Sequence, residues 1–379
     1  MIISIGADTF ICDCNCVSTY GTATPVTQDA PLPGPTATYT PTPTRTPTPT
    51  NTPTPTTAPT PFAGVYAGRS DGEVIPSWDD GDTWGASIGS IGEGVGALYS
   101  WDSQERLFAA GYTSQAIYEY NFGTSTWDAM NGGADGFHTC GTGVCAWYGD
   151  WSGEELSYAS KIYKIDVGEA VWTQTGSIPC NYTYPIRNGA GSTLVTMGTF
   201  CNDICDLDAD PLCEYSDGAH AYLSSTDGDS WGQHGTTLIR LGAVAYFGAT
   251  YDILYYGSVV GVQPMWQTAD LGSLPQTYAP HIDVTDSARY LDQEDTTAVW
   301  IRDRAGATDG GDLFRSTDGT NFSLKLDLPA WSTSGEIYFG DYFWVPIRIA
   351  NNGIYRSTNG DSWTEKLDGH FYSVTESDF

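Results

Sequence analysis

Chemistry in this chain would have to come from carboxylates and thiols. Forty-six Asp and Glu stand against 15 Lys and Arg, with five His and nine Cys, and the net charge is −31. Five of the acids are closely set: Asp206, Asp208, Asp210, Glu214 and Asp217 occupy positions 1, 3, 5, 9 and 12 of one span. Those are positions from which a calcium loop supplies oxygen ligands. Pro211 stands sixth, where such a loop turns on glycine, so the competing reading is a solvated acidic loop. Calcium here is the one cofactor candidate, since the five histidines show no metal-ligand spacing. Two carboxylates about 5–9 Å apart can hydrolyse a glycoside, but among 46 acids no pair stands out. No residue is assigned a catalytic role, and a glycosidase is the enzymatic alternative.

The thiols point to assembly. Cys12, Cys14 and Cys16 alternate, so in a strand they share one face. They would not readily bridge one another there, but all three can address one partner, and CxCxC is not a zinc spacing. Residues 1–24 are therefore expected to be an assembly segment that docks on a neighbouring copy, against the plainer reading of a disordered tail. An odd total of nine leaves at least one thiol free or intermolecular. Cys140 and Cys145 flank Gly141-Thr142-Gly143-Val144 and suit a hairpin staple. For Cys180, Cys201, Cys205 and Cys213, bridges 180–201 and 205–213 are one of three open pairings. Nine cysteines in an acidic, aromatic-rich chain suggest an oxidising final environment. Residues 1–8, MIISIGAD, make a poor secretory signal, with no basic residue and an interrupted apolar run. Either a signal has been removed, or the protein leaves the cell another way, as a virion component released by lysis does. An extracellular location is expected.

The elements that would position these groups are marked by a recurring turn. Ser225–Trp231 (STDGDSW), Ser316–Phe322 (STDGTNF) and Ser357–Trp363 (STNGDSW) match closely, and Ser77–Trp84 (SWDDGDTW) is one residue longer. Each follows an apolar, strand-like run such as Ala221-Tyr222-Leu223. Asp or Asn before Gly supplies the positive φ of a tight hairpin, and the Ser, Thr and Asp side chains can bond back to nearby amides. The defining residues are Ser77, Asp79, Gly81 and Trp84; Asp227, Gly228 and Trp231; Asp318, Gly319 and Phe322; and Asn359, Gly360 and Trp363.

This turn resembles the Asp-box (BNR) hairpin of the sialidase-like β-propellers, whose pattern is Ser-x-Asp-x-Gly-x-Thr-Trp; residues 77–84 fit it fully and the other three are one residue shorter. The resemblance implies a scaffold. Sialidase chemistry would need an arginine cluster, a tyrosine nucleophile with a glutamate, and an acid. The Arg-Ile-Pro signature is absent, and Pro185-Ile186-Arg187 and Pro346-Ile347-Arg348 run in the reverse order.

Weaker copies fill the gaps, with strands near 117–121, 162–166 and 265–270 leading to Trp127, Trp172 and Tyr278. The aromatic markers then fall at 84, 127, 172, 231, 278, 322 and 363, at intervals of 43, 45, 59, 47, 44 and 41. Units of about 45 residues are four-stranded propeller blades. The long interval holds four cysteines and reads as an insertion. Val65-Tyr66-Ala67-Gly68 looks like a second strand with no first, and the run near 370–376 is a first strand with no second. The expected fold is all-β: a seven-bladed β-propeller of four-stranded antiparallel blades over 62–379, closed by 370–376. A sandwich or β-helix is the rival.

Residues 25–61 form a Thr/Pro-rich stalk, with four hexads over 38–61. Proline excludes helix and sheet, so polyproline II is expected, roughly 75 Å for the hexads at about 3.1 Å per residue. Thr40, Thr42, Thr46, Thr48, Thr52 and Thr54 are candidate O-glycan acceptors. The charge of −31 disfavours nucleic acid and anionic membranes, and no apolar run approaches the roughly 20 residues of a membrane span. Two long second-to-third-strand loops, 150–158 and the cysteine insert, share the face away from the turns. Trp151, Glu154 and Tyr158 make this the candidate contact face, for a protein partner or sugars. The functional expectation is a non-enzymatic structural subunit of an extracellular filament or virion appendage, partnered by copies of itself. A glycan-binding adhesin is the alternative.

Overall fold

In a computed structural model, residues 63–377 are described except for 150–159, 192, 202–218, 226, 238–240, 256–262, 275–281, 286–287, 295–296, 304–310, 330–332 and 349–352, together with the backbone of 2–5 and 8–11. The chain divides into two units, Met1–Thr54 and Pro55–Phe379. In the first, Ile2–Ile5 pairs antiparallel with Asp8–Ile11. The cysteines at 12, 14 and 16, the stalk and its threonines lie outside the described residues.

The second unit is a seven-bladed β-propeller. Blade 2 runs through Val95–Trp101, Arg106–Gly111, Ala116–Asn121 and Thr126–Gly133, a plain antiparallel meander. Blade 3 uses Gly136–Cys140, Gly143–Tyr148, Ser160–Ile165 and Thr173–Ile178. Blade 5 uses Leu241–Phe247, Thr250–Tyr255, Gln263–Thr268 and Ile282–Thr285. Blade 6 uses Ala288–Glu294, Ala298–Asp303, Leu313–Ser316 and Ser323–Leu326. The second strands are almost wholly apolar and buried, as Arg106–Gly111 shows, because both faces meet a neighbouring blade.

The ring closes as expected. Phe371–Ser377 pairs antiparallel with Gly64–Arg69, which pairs with Val74–Ser77, and Phe371–Ser377 also packs on blade 2 and blade 7. Three blades depart from the four-strand pattern. Blade 1 has a three-stranded sheet. The segment after Trp84 still bonds its edge, with Gly85 N donating to Pro76 O and Ile88 N to Val74 O. The inner strands of blade 4 (Cys180–Thr183 and Arg187–Asn188, then Thr193–Cys201, Ala219–Ser225 and Trp231–Thr237) and blade 7 (Thr333–Ser334 and Tyr338–Phe339, then Phe343–Arg348, Gly353–Ser357 and Thr364–Asp368) are each broken in two. In blade 4 the break contains Pro185, which has no N–H to give the ladder. The marker Tyr278 lies outside the described residues.

The turns have the geometry their residues require. Ser77, Ser316 and Ser357 are buried. Ser77 Oγ donates to Asp79 Oδ1 at 2.9 Å and accepts from Gly81 N at 2.8 Å. Ser357 Oγ accepts from Gly360 N at 2.8 Å. Asp318 Oδ1 accepts from Thr320 N and Asn321 N at 2.8 and 2.7 Å. Gly81, Gly228, Gly319 and Gly360 have φ of 78°, 69°, 70° and 76°, a left-handed conformation that favours glycine.

Each turn glycine also seats on the preceding blade. A Cβ on Gly81 would stand 2.5 Å from Trp344 of blade 7, and one on Gly360 2.8 Å from Trp300 of blade 6. On Gly228 it would meet Cys145 Sγ at 2.4 Å, and on Gly319 Gln267 at 3.0 Å and Asp252 at 3.4 Å. By register these seats are one position in each blade: Tyr66, Phe108, Cys145, Leu194, Asp252, Trp300 and Trp344 lie opposite Pro76, Glu119, Lys164, Ser224, Gln267, Arg315 and Arg356. Ion pairs latch the turns from outside. Lys366 of blade 7 holds Asp82 of the blade 1 turn at 2.6 Å, Lys325 holds Asp361, and Lys164 holds Asp229.

Two outcomes follow. Gly360→Ala combines positive φ with a clash on Trp300 and should cost about 2–4 kcal/mol in urea unfolding of the full chain. Gly248→Ala, with φ of 68° and open space around its Cβ, should cost only about 1–2 kcal/mol. The second outcome concerns acid. Hydrogen bonds and charge from Lys366 hold the Asp82 carboxyl below its ordinary range, and Lys325 does the same for Asp361. A depressed folded pKa gives stability that is present above about pH 4 and lost as pH falls through the folded value. The melting temperature should drop below about pH 4, and less steeply in Asp82→Asn/Asp361→Asn.

Candidate functional site

Among the described residues, a cluster of four charged side chains meets at the centre of the ring. Where its inner strand is broken, blade 4 points Arg187 across the ring. Arg187 Nη2 lies 2.9 Å from Asp292 Oδ1 on the inner strand of blade 6 and 2.9 Å from Glu336 Oε1 in the broken inner strand of blade 7. Blades 4 and 7 are not neighbours, so this contact spans the centre. Arg302, on the second strand of blade 6, completes the group, with Nε 2.5 Å from Asp292 Oδ2 and Nη2 3.3 Å from Oδ1. The side chains of Asp292, Arg302 and Arg187 are 1%, 7% and 9% exposed. Glu336 is 42% exposed, at the open end of the group.

Two guanidinium groups and two carboxylates neutralise one another, and both oxygens of Asp292 are engaged. A glycosidase pair needs one carboxyl protonated and one free to meet the sugar or water; here both acids contact the same arginine nitrogen. His138, on the inner strand of blade 3, is also near. Burial first, and then the Arg187 charge, depress its pKa to about 4, so the ring is neutral at physiological pH. Among the described residues no group of three or more His, Cys, Asp or Glu is placed to hold a metal. The cluster reads as a tie across the ring.

The face away from the turns offers a second feature. Tyr112, 55% exposed, follows the second strand of blade 2, and its ring lies 4.6 Å from that of Tyr372 on the closing strand. Arg348, ending the second strand of blade 7, lies 4.4 Å over Tyr372 and 5.7 Å from Tyr112. Its Nη2 donates to Tyr372 O at 3.0 Å. On the turn face, Tyr99, Trp101, Asp102, Thr139, Thr142 and Val167 line a shallow cleft of about 420 Å³ between blades 2 and 3.

The expected site residues are placed unevenly. Cys140 and Cys145 are bridged across a two-residue turn and form the seat beneath Gly228. Cys180 is disulfide-bonded and stands opposite Cys201 in the register. Trp151, Glu154 and Tyr158, the calcium candidates Asp206, Asp208, Asp210, Glu214 and Asp217, and Cys205 and Cys213 lie outside the described residues. Their segments do join second to third strands, the one after Tyr148 in blade 3 and the one after Cys201 in blade 4. Arg187, Asp292, Arg302 and Glu336 were missed by sequence reasoning. Their positions, 187, 292, 302 and 336, carry no spacing that relates them.

No family model matches this chain, and no curated protein matches it. Solved propellers are similar to it in fold. A candidate 6-phosphogluconolactonase from Bacteroides fragilis superposes with a TM-score of 0.50 at 11% identity, covering 85% of this chain and 100% of that one. YCF48 bound to D1 peptide gives 0.46 at 11%, covering 75% and 89%, and YCF48 from Cyanidioschyzon merolae gives 0.41 at 13%, covering 72% and 84%. No helix among the described residues is long and apolar enough to cross a membrane.

If the central group is a tie, breaking it should be costly. Asp292→Ala leaves two buried arginines without their shared partner and should lower urea stability by about 3–5 kcal/mol. Glu336→Gln, at the exposed end, should cost less than about 1 kcal/mol.

Proposed function

We propose that the propeller is a non-catalytic display module of an extracellular assembly, a filament or virion appendage, and that residues 1–24 join one copy to the next. The observation that carries this reading is how the cations are used. At least nine of the 15 Lys and Arg are in ion pairs within the propeller. The central charge cluster is neutral and nearly closed to solvent, which supports a role in holding the ring. The bonding of Ser77, Asp79 and Gly81 supports reading the turns as Asp-box hairpins of the sialidase-like type, without that family's chemistry. Alternate thiols at Cys12, Cys14 and Cys16 suit disulfide links between copies.

A second reading, a glycan-binding adhesin, is favoured by Tyr112, Tyr372 and Arg348. Two adjacent rings with a nearby cation suit sugar faces.

The two readings separate on gels and columns. The full chain, oxidised, should run as a ladder without reductant and as a monomer with it. Cys12→Ser/Cys14→Ser/Cys16→Ser should abolish the ladder. A monomer in both lanes contradicts the assembly. Retention of that monomer on immobilised glycans, lost in Tyr112→Ala, would establish the adhesin instead.

A further inference from the structure

Six of the seven seat positions hold Tyr66, Phe108, Cys145, Leu194, Trp300 and Trp344, and blade 5 alone presents a carboxylate, Asp252. Asp252 is 0% exposed. Its Oδ1 accepts from Gln267 Nε2 at 2.7 Å, and the same amide nitrogen donates to Gly319 O of the blade 6 turn at 3.0 Å. Its Oδ2, on the side of Gly319, has no hydrogen-bond partner among the described residues. In blades 3, 6 and 7 the flanking residue is a cation: Lys164 beside Cys145, Arg315 beside Trp300, Arg356 beside Trp344. Blade 5 offers a neutral amide.

We infer that the seam between blades 5 and 6 is a proton-controlled hinge: with Asp252 protonated the turn at 316–322 stays seated, and with Asp252 ionised the turn is released. An ionised carboxylate without a cation is disfavoured in a closed apolar layer, and lifting Gly319 would let water reach Oδ2. Seated, the neutral acid has no charge to desolvate.

The surrounding groups do not rescue the charge. On blade 5 the titratable neighbours are Tyr246 and Tyr251, whose tilted rings lie 4.8 Å apart. On blade 6, Glu294 and Arg315 are bound to each other at 2.8 Å. Asp318, beside Gly319, is exposed, and bonds from Asn321, Thr320 and Ser316 keep it ionised. Asp252 itself is pushed up to about 7 by burial, against the pull of the Gln267 bond. A folded pKa above the unfolded value of about 3.9 means that stability is lost as pH rises from about 4 to 7 and stays low above that window. This is the opposite sign to the latching aspartates.

Asp252→Asn removes the charge while keeping the shape. The experiment compares thermal midpoints of the full-length wild type and this variant at pH 5.5 and 8.0, with hydrogen exchange of segment 311–326 corrected for intrinsic rates. The difference between variant and wild type cancels the general repulsion among 46 acids. The variant should gain at least about 3 °C on wild type at pH 8.0 relative to pH 5.5. In wild type, exchange of 311–326 should quicken about tenfold at the higher pH, an opening free-energy change of roughly 1.4 kcal/mol. Equal pH slopes in the two proteins, or exchange in 311–326 that ignores pH in wild type, would overturn the hinge. The exchange measurement on wild type decides alone if the variant does not fold.

Discussion

The seating of a turn glycine on the flat side of the preceding blade is the contact on which the ring depends. A four-stranded blade cannot bury its own faces. It needs a neighbour at a fixed height and angle, and the turn supplies both. Gly81 on Trp344 and Gly360 on Trp300 admit no side chain between turn and ring. The buried serine holds the turn shut from below, and the lysine of the preceding blade holds it from outside. Where the seat is Cys145 instead of tryptophan, a disulfide to Cys140 supplies the rigid surface.

Charge follows the same frame. An acidic chain of this kind repels itself, yet several of its few cations sit where blades meet. Lys164, Lys325 and Lys366 each bridge to the next turn, and Arg187 and Arg302 converge with Asp292 at the centre. The latching aspartates favour the ring above the acid range and lose that effect as they protonate, whereas the seam at Asp252 carries the reverse dependence.

Much of this was legible in the residues. The turn spells out its own bonding, so its recurrence fixed the blade count, and the leftover runs at 65–68 and near 370–376 foretold the closing pair. The Cys140–Cys145 staple followed from a four-residue hairpin between two thiols. What could not be read was which side chains meet between one blade and another. Trp300 and Gly360 are 60 positions apart, and Arg187 and Glu336 are 149. No periodicity relates them, because the contact is made by the ring and not by the strand. The breaks in the inner strands of blades 4 and 7 escaped for a similar reason: they serve Arg187 and Glu336, whose meeting has no local signature. Asp252 looked like one acid among many until the register set it beside six apolar counterparts.

On the proposed reading, function belongs to the parts the frame does not use: the thiol-bearing segment, the Thr/Pro-rich stretch and the face opposite the turns. That division rests on the turns being seats and not merely hairpins. A double-mutant cycle on Gly360→Ala and Trp300→Leu in urea tests it most directly. If the glycine seats on Trp300, trimming the indole relieves the clash, and the coupling should reach about 1 kcal/mol or more. Losses that simply add, within roughly 0.3–0.5 kcal/mol, would mean that the turn and the preceding blade act independently, and the frame would have to be sought elsewhere.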